Sequence, residues 1–278
     1  MLRLRYVLIF VIAMSAFVGA GCARVQQPTS AAVVPVPPVY VPITIEEPTT
    51  DALVGNPIIA RGKGIAFENT IQLRVRDANG RTLGETNTIA FAPDYDRPGP
   101  WSAAVAYRTP PNDSPTGVLE AYESSAKDGS ELHVVRTPIR FATETQDVRV
   151  LFLKEVGITE HAVRCSVATS AFSRSVPKTP AIARATLEAL LAGPTREEVD
   201  RGYRLAMGAT LGGVTIADGV ATVDLHDLPP PYERDGDDSD YRCDASQLAT
   251  QLRATLTQFP TIQSVRILVG GKPHSLFP

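Results

Sequence analysis

Residues 57–77, PIIARGKGIAFENTIQLRVRD, decide the fold of the first half of the chain. Gly62-Lys63-Gly64 follow apolar residues, where a phosphate-cradling loop is looked for. Such a loop must open a helix, because free N–H groups at the helix N-terminus hold the phosphate. Here the residues after Gly64 keep strand alternation: Ile71, Leu73 and Val75 alternate with Gln72, Arg74 and Arg76, the period of a half-buried strand. The Walker spacing fails too, with Pro57 at the first glycine and Gly64 where Ser or Thr follows the lysine. The stretch reads as strands meeting at a glycine corner that lets the chain bend or bulge. No nucleotide and no other cofactor is implied.

Working outward, Asp77–Gly80 (DANG) supplies a hairpin turn. Trp101, Ala103, Val105 and Tyr107 alternate again, and residues 117–125 and 130–141 flank a turn at Lys127-Asp128-Gly129. Six or seven short strands over residues 45–143, with no helical period, predict an all-β sandwich. From residue 148 to 278 the pattern becomes α/β. VRVLFL (148–153) is a strand. Residues 178–194 form a helix with Thr179 as cap, Pro180 in the first turn, Gly193 at the left-handed C-terminal position and Pro194 as stop. Ile182, Ala185, Ala189 and Leu190 form its apolar face. Thr195 and Glu198 make a capping box for a second short helix. GGVTIADGVATVDL (212–225) is a hairpin turning at Asp218-Gly219. Residues 244–260 form a helix capped by Asp244, with Leu248, Leu252, Leu256 and Phe259 on one side, and SVRILV (264–269) closes as a strand. The predicted order is β-α-β-β-α-β, a compact sheet with helices packed on it.

The 278-residue chain carries a formal charge of −3, which gives no basic footprint for nucleic acid. Its N-terminus reads as a signal peptide over residues 1–21, with Arg3 and Arg5 ahead of an apolar run from Val7 to Val18. That run is shorter than the roughly 20 residues of a bilayer span. It ends in VGAGC (18–22), which resembles the lipobox of bacterial lipoproteins with Cys22 as the lipidated residue, although Gly19 stands where a large aliphatic residue is usual. The alternative is ordinary cleavage after Ala20, leaving a free Cys22 thiol. Residues 22–44 are rich in Pro and Val, a semi-rigid extended spacer of about 3.1 Å per residue. Cys165 and Cys243 then remain, and two cysteines in an exported chain read as a disulfide worth on the order of 4 kcal/mol in the chain-entropy model. Metal ligation is the alternative reading of the pair.

Few residues point to chemistry. His133, His161, His226 and His274 have no metal-ligand spacing, and no nucleophile elbow accompanies His226-Asp227. Asp235, Asp237, Asp238 and Asp240 begin like a calcium loop, but Asp240 occupies the glycine position and Ser246 that of the bidentate glutamate; a solvated acidic loop is the simpler reading. Trp101 is placed in the core by its alternation rather than on a sugar-stacking face. Tyr95, Tyr232 and Tyr241, read as loop aromatics, are the candidates for a glycan groove.

Two longer resemblances follow from these segments. NPIIARGKGIAFENTIQLRV with Phe67-Glu68, the lone Trp101 in GPWSAAVAY, and Ser125-x-x-Asp128-Gly129 resemble the immunoglobulin-like domain of bacterial spore-germination proteins, the Gmad type. RSVPKTPAIARATLEALLAGPTREE, GVATVDL and LTQFPTIQSVRILVGGK resemble the GerMN sporulation and germination domain. The acidic segment 229–244 is longer than the family pattern, and Cys165 and Cys243 lie outside it. The resemblance implies a fold similar to the ring-building motifs of envelope secretion systems. It also implies an exported, often lipid-anchored protein without catalytic residues. The expectation is a non-enzymatic envelope protein held to a membrane through Cys22, contacting other envelope proteins or itself, with a role in sporulation, germination or envelope assembly. The rival is a peptidoglycan- or glycan-binding module.

Overall fold

The computed structural model describes residues 42–92, 97–110, 114–154, 168–231 and 238–277. Among these residues eight strands build the first domain: β1 (Ile43–Glu47), β2 (Ala52–Val54), β3 (Ile58–Gly64), β4 (Thr70–Asp77), β5 (Thr82–Ile89), β6 (Gly99–Val105), β7 (Thr116–Ser124) and β8 (Glu131–Phe141). They form a three-stranded sheet, β1-β3-β6, facing a five-stranded sheet, β2-β8-β7-β4-β5. Ile58, Ile71, Leu73, Val75, Leu119 and Ile139 fill the space between them. Each such side chain contributes about 1.5–3 kcal/mol by leaving water. Asp77 sets the β4–β5 turn: its Oδ1 accepts from the N–H groups of Asn79 (3.0 Å) and Arg81 (2.8 Å).

The glycines of residues 62–64 do not make a corner; they lie within β3. A Cβ at Gly62 would stand 1.9 Å from the Thr44 carbonyl and 2.7 Å from the Trp101 ring, and one at Gly64 would meet Ile71 at 2.7 Å. Glycine is required there for close packing. Trp101 fills the space and is 4 % exposed, in the core as the alternation predicts.

On the outer face of the five-stranded sheet, Glu120 accepts hydrogen bonds from Arg74 Nε (2.7 Å), Arg76 Nε (3.1 Å) and Arg136 Nε (2.9 Å). Arg74 also grips Glu131 through Nη1 (2.6 Å) and Nη2 (3.0 Å). The cluster stitches β4, β7 and β8 across their ladders. Burial pushes the Glu120 carboxyl up, but the hydrogen bonds from Arg74, Arg76 and Arg136 outweigh it and hold the group below the usual glutamate range.

The second domain has strands β9 (Thr145–Lys154) and β10 (Ala168–Pro177), helices α1 (Ile182–Leu191) and α2 (Arg196–Asp200), strands β11 (Tyr203–Arg204), β12 (Thr210–Ala217) and β13 (Val220–His226), helix α3 (Ser239–Leu256), and strands β14 (Ser264–Val269) and β15 (Lys272–Pro273). The predicted β-α-β-β-α-β order is present as β9, α1, β12, β13, α3 and β14. The strands form two sheets, β10-β9-β11 and β12-β13-β14-β15, rather than one. Helix α3 makes the crossover between the parallel pair β13 and β14. Asp218 (φ 50°) and Gly219 (φ 77°) turn the β12–β13 hairpin.

Strand β10 is an addition to the predicted order. Its inward positions include Arg174, which is 3 % exposed and breaks the apolar alternation. Arg174 donates through Nη1 to Glu198 Oε1 (2.8 Å) and through Nη2 to Glu198 Oε2 (2.6 Å), and its guanidinium lies 5.3 Å from the Phe152 ring centre. Glu198 Oε2 also accepts from the Thr195 N–H at 2.8 Å, as the capping box requires. One carboxylate thus fixes the start of α2 and ties it to β10. Helix α1 starts at Ile182, after the predicted cap; Gly193 has φ 85°, as its stop position demands.

Replacing Glu120 by Gln leaves three arginines with one fewer anion. A loss of about 3–5 kcal/mol is expected near neutral pH, read from urea melts. The folded carboxyl titrates below its unfolded value, so its contribution is full above about pH 4.3 and is lost as pH falls through the lower, folded value. The gap between wild type and Glu120→Gln should therefore close in acid.

Candidate functional site

Both domains belong to one compact unit, and the seam between them brings side chains of both together. Ala142 to Glu144 connect β8 to β9, and a second junction lies at Asn56, which pairs with Ser175 of β10 in an antiparallel bridge. The Asn56 N–H donates to the Ser175 carbonyl (2.8 Å), and the Ser175 N–H donates to the Asn56 carbonyl (3.0 Å). The Asn56 side chain holds Tyr107 in turn: Nδ2 donates to its carbonyl (2.8 Å), and Oδ1 accepts from its N–H (3.3 Å). Gly55 permits the approach, because a Cβ there would lie 2.0 Å from the Ser175 carbonyl oxygen.

Above this bridge the outer face of β1-β3-β6 meets the C-terminal end of α1. Ile59 packs against the core of the second domain. Ser102 Oγ donates to the Leu191 carbonyl (3.4 Å), and Arg61 Nη2 reaches the Glu188 carbonyl (3.5 Å). The last carbonyls of a helix lack partners within it and carry partial negative charge, so Ser102 supplies a donor to Leu191, while Arg61 adds a cation beside the Glu188 carbonyl, which already accepts from the Ala192 N–H (3.0 Å). Arg61 Nη1 is also 3.3 Å from Glu47 Oε2. Arg196 Nη1 donates to Asn87 Oδ1 at 2.9 Å, a further link.

Two clefts flank the seam. One, of about 410 Å³, runs between β2 and α1 and is lined by Leu53, Pro57, Ile59, Val176 and Pro177, with Glu47, Arg184 and Glu188 at its rim. Burial pushes the Glu188 carboxyl above the usual range, against the pull of Arg184 and Arg61; Arg184 Nε lies 2.7 Å from its Oε1. The other, of about 420 Å³, is walled by Ile89, Phe91, Lys63 and Pro100 from the sandwich and by Gly208 to Thr210 and Asp227 from the second domain. Both are mainly apolar recesses. Neither holds a paired acid and base beside a nucleophile.

Several sequence-predicted site residues lie outside the described residues: Cys22, Cys165, His161, Asp235, Asp237, Tyr95 and Tyr232. Cys243 is buried on α3, and its Sγ accepts from Gln247 Nε2 at 3.4 Å. Asp238 precedes α3 and accepts from Arg242 Nε (2.8 Å), and Asp240 sits in the helix's first turn, where acids suit the helix dipole. Among the described residues no group of three His, Cys, Asp or Glu side chains gathers as a metal site. Tyr241 is not a loop aromatic. It lies within α3, is 4 % exposed, and its hydroxyl donates to the Pro229 carbonyl at 2.9 Å. Asp244 is not a cap, because α3 begins earlier, at Ser239, and the Asp244 carboxylate stands 3.3 Å from Arg204 Nη1. His226 faces Asp224 (3.2 Å). The seam residues Gly55, Asn56 and Ser175 were not anticipated; Gly-Asn-Pro at 55–57 signals only a turn.

An immunoglobulin-like sandwich joined to an α/β domain defines a two-domain, strand-rich protein. Residues 42–130 match the family model of the immunoglobulin-like domain of bacterial spore germination, Gmad2. Residues 149–275 match that of the sporulation and spore germination domain, Germane. The chain carries a Gmad2 immunoglobulin-like domain followed by a Germane domain. The tandem GerMN domains of the sporulation protein GerM from Bacillus subtilis share 20% identity with it over 49% of this chain and 42% of that chain, with a TM-score of 0.36. The first GerMN domain of that protein shares 23% identity over 48% of this chain and 86% of that one, with a TM-score of 0.33. The match thus spans less than half of the tandem-domain chain. Comparison with curated proteins gives no match.

Gly55→Ala should force Ser175 away and open the seam. A loss of about 1–3 kcal/mol is expected, with faster hydrogen exchange at the Ser175 amide and a larger radius of gyration in solution scattering. Lys127→Ala, in an exposed turn of the sandwich that takes no part in the seam, serves as the control that should leave both unchanged.

Proposed function

We propose that the chain is a non-enzymatic, extracytoplasmic envelope protein that is lipid-anchored at Cys22 and works by presenting its joined domains to other envelope proteins. The observation that carries this reading is the pairing of two sporulation- and germination-associated domains with an N-terminal leader that ends in VGAGC and runs into a Pro- and Val-rich segment. Among the described residues no helix is long and apolar enough to cross a membrane, which fits attachment through a terminal lipid. The seam supports the same reading. A head with fixed relative domain positions offers one composite surface, and apolar recesses on both sides of the junction suit protein contacts. A Cys165–Cys243 disulfide belongs to this proposal, since an oxidising compartment favours it.

The test is crosslinking of the tagged full-length chain in cells, with identification of captured neighbours. Recurrent envelope proteins or a self-ladder are expected. Capture of no protein, together with pelleting on purified sacculi, would replace the proposal by wall binding. Cys22→Ala should abolish labelling by radioactive palmitate and release the chain from membranes. Mass spectrometry of unreduced peptides should recover the Cys165–Cys243 cross-link.

A further inference from the structure

Natural sheets protect their edges with charge, proline, shortness or cover, because bare edge N–H and C=O groups template pairing with another strand. Among the described residues the sheet edges follow that rule with one exception. Strand β1 carries Glu46 and Glu47, β5 carries Glu85, and β6 carries Pro100 and lies against β5 through Thr88 Oγ1 donating to the Ser102 carbonyl (2.7 Å). Strand β2 has three residues, and β11 and β15 have two each. Strand β10 carries Arg174, ends in Pro177 and is engaged by Asn56. Strand β12, TLGGVTIA, spans eight residues with no charge and no proline.

The register defines what this edge offers. Ala217 pairs with Val220 across a two-residue turn, Thr215 with Thr222 and Gly213 with Asp224. In such a hairpin these are the hydrogen-bonded pairs, so the N–H and C=O groups of Val214 and Ile216 point away from β13. Among the described residues nothing pairs with them. Val214 and Ile216 also share the core face, opposite the buried Val223 and Ala221. Val214 packs on the core, whereas Ile216 is 47 % exposed. The strand therefore ends its sheet with an unfinished ladder and an uncovered core-face isoleucine side by side.

We propose that this edge pairs with β12 of a second copy, antiparallel about a two-fold axis through Thr215. In that register Val214 faces Ile216 of the other copy, and each pair exchanges two hydrogen bonds, completing four. Each Ile216 gains a Val214 neighbour on the core face, the cross-strand contact that stabilises sheets. Ala217 falls opposite Gly213, where a Cβ would meet nothing, and Asp218 opposite Gly212, beside His226, so no like charges meet. The strand is complementary to itself in hydrogen bonds, shape and charge, which is why a second copy is the occupant. One strand pair buries little area, so the dimer is weak in dilute solution and is favoured where chains share a membrane. This deepens the reading of the chain as an envelope contact protein and rests on it for that last step.

The test uses full-length chain in cells with Thr215→Cys, and Thr222→Cys on β13 as control. Mild oxidation should give a disulfide-linked dimer for Thr215→Cys at least tenfold above the control. Equal yields, or a monomer in both, overturn the pairing. Sedimentation equilibrium of the full chain in detergent should show dimerisation weakened at least tenfold by Ile216→Pro, which removes the outward donor together with the exposed isoleucine while sparing the bonds to β13, and by Thr215→Lys, which sets like charges face to face. Unchanged dimerisation in both variants, with circular-dichroism melts like wild type, overturns it as well. Capture of envelope neighbours without a Thr215→Cys dimer removes the pairing and leaves the contact reading. A Thr215→Cys dimer without captured neighbours keeps the pairing and narrows the contact reading to self-association.

Discussion

The fold is organised around one close approach of backbone to backbone. Where Gly55 and Asn56 meet Ser175, the sandwich and the α/β domain are joined a second time, in addition to the short covalent link from β8 to β9. One junction would leave a hinge; two restrict rotation, and the seam then has fixed geometry. The outer face of β1-β3-β6 can therefore afford to place Ile59 on a foreign core and to offer Ser102 and Arg61 to the end of α1. Asn56 is suited to the position because its amide both donates to and accepts from the Tyr107 backbone while its own main chain is engaged elsewhere. No apolar residue of similar size could satisfy both sides.

Buried charge is used in a similar way in each domain. Glu120 gathers arginines from neighbouring strands, and Glu198 joins β10 to α2 through Arg174. Such pairs add little net stability compared with apolar packing, but removing one partner leaves an uncompensated charge. Their effect is to specify which elements meet. In the second domain this matters because β9 and β10 form a sheet separate from β12 to β15, and the packing of α2 depends on a polar clamp as well as on the apolar core.

Much of the fold was legible in local sequence. The Asp77–Gly80 and Asp218-Gly219 turns, the stop at Gly193 and the capping box at Thr195 and Glu198 depend on residue types whose backbone preferences act over a few positions. What failed was long-range. Strand β10 was hidden because its core-facing position 174 is an arginine neutralised by a helix that comes later in the chain. Tyr241 and Asp244 were misplaced because α3 starts within a segment whose acids suggest a loop, although acids also suit a helix start. The seam gave no signal, since its partners are main-chain atoms and a missing Cβ, invisible to hydrophobic pattern. The Gly62 and Gly64 pair was misread for the same reason: the need for glycine came from Trp101 and Thr44, not from a bend.

The entry of the chain into β1 has a mechanical consequence. Any pull transmitted along the N-terminal segment reaches the folded head at Ile43, and β1 is held along its length to β3 by an antiparallel ladder from Ile43 to Glu47. If the second domain is held by whatever it binds, that ladder is loaded in shear, with its bonds sharing the force rather than breaking in turn. The load then passes from β3 through Arg61 and Ile59 to α1, so the seam is also the path by which tension would travel between the two halves of the molecule.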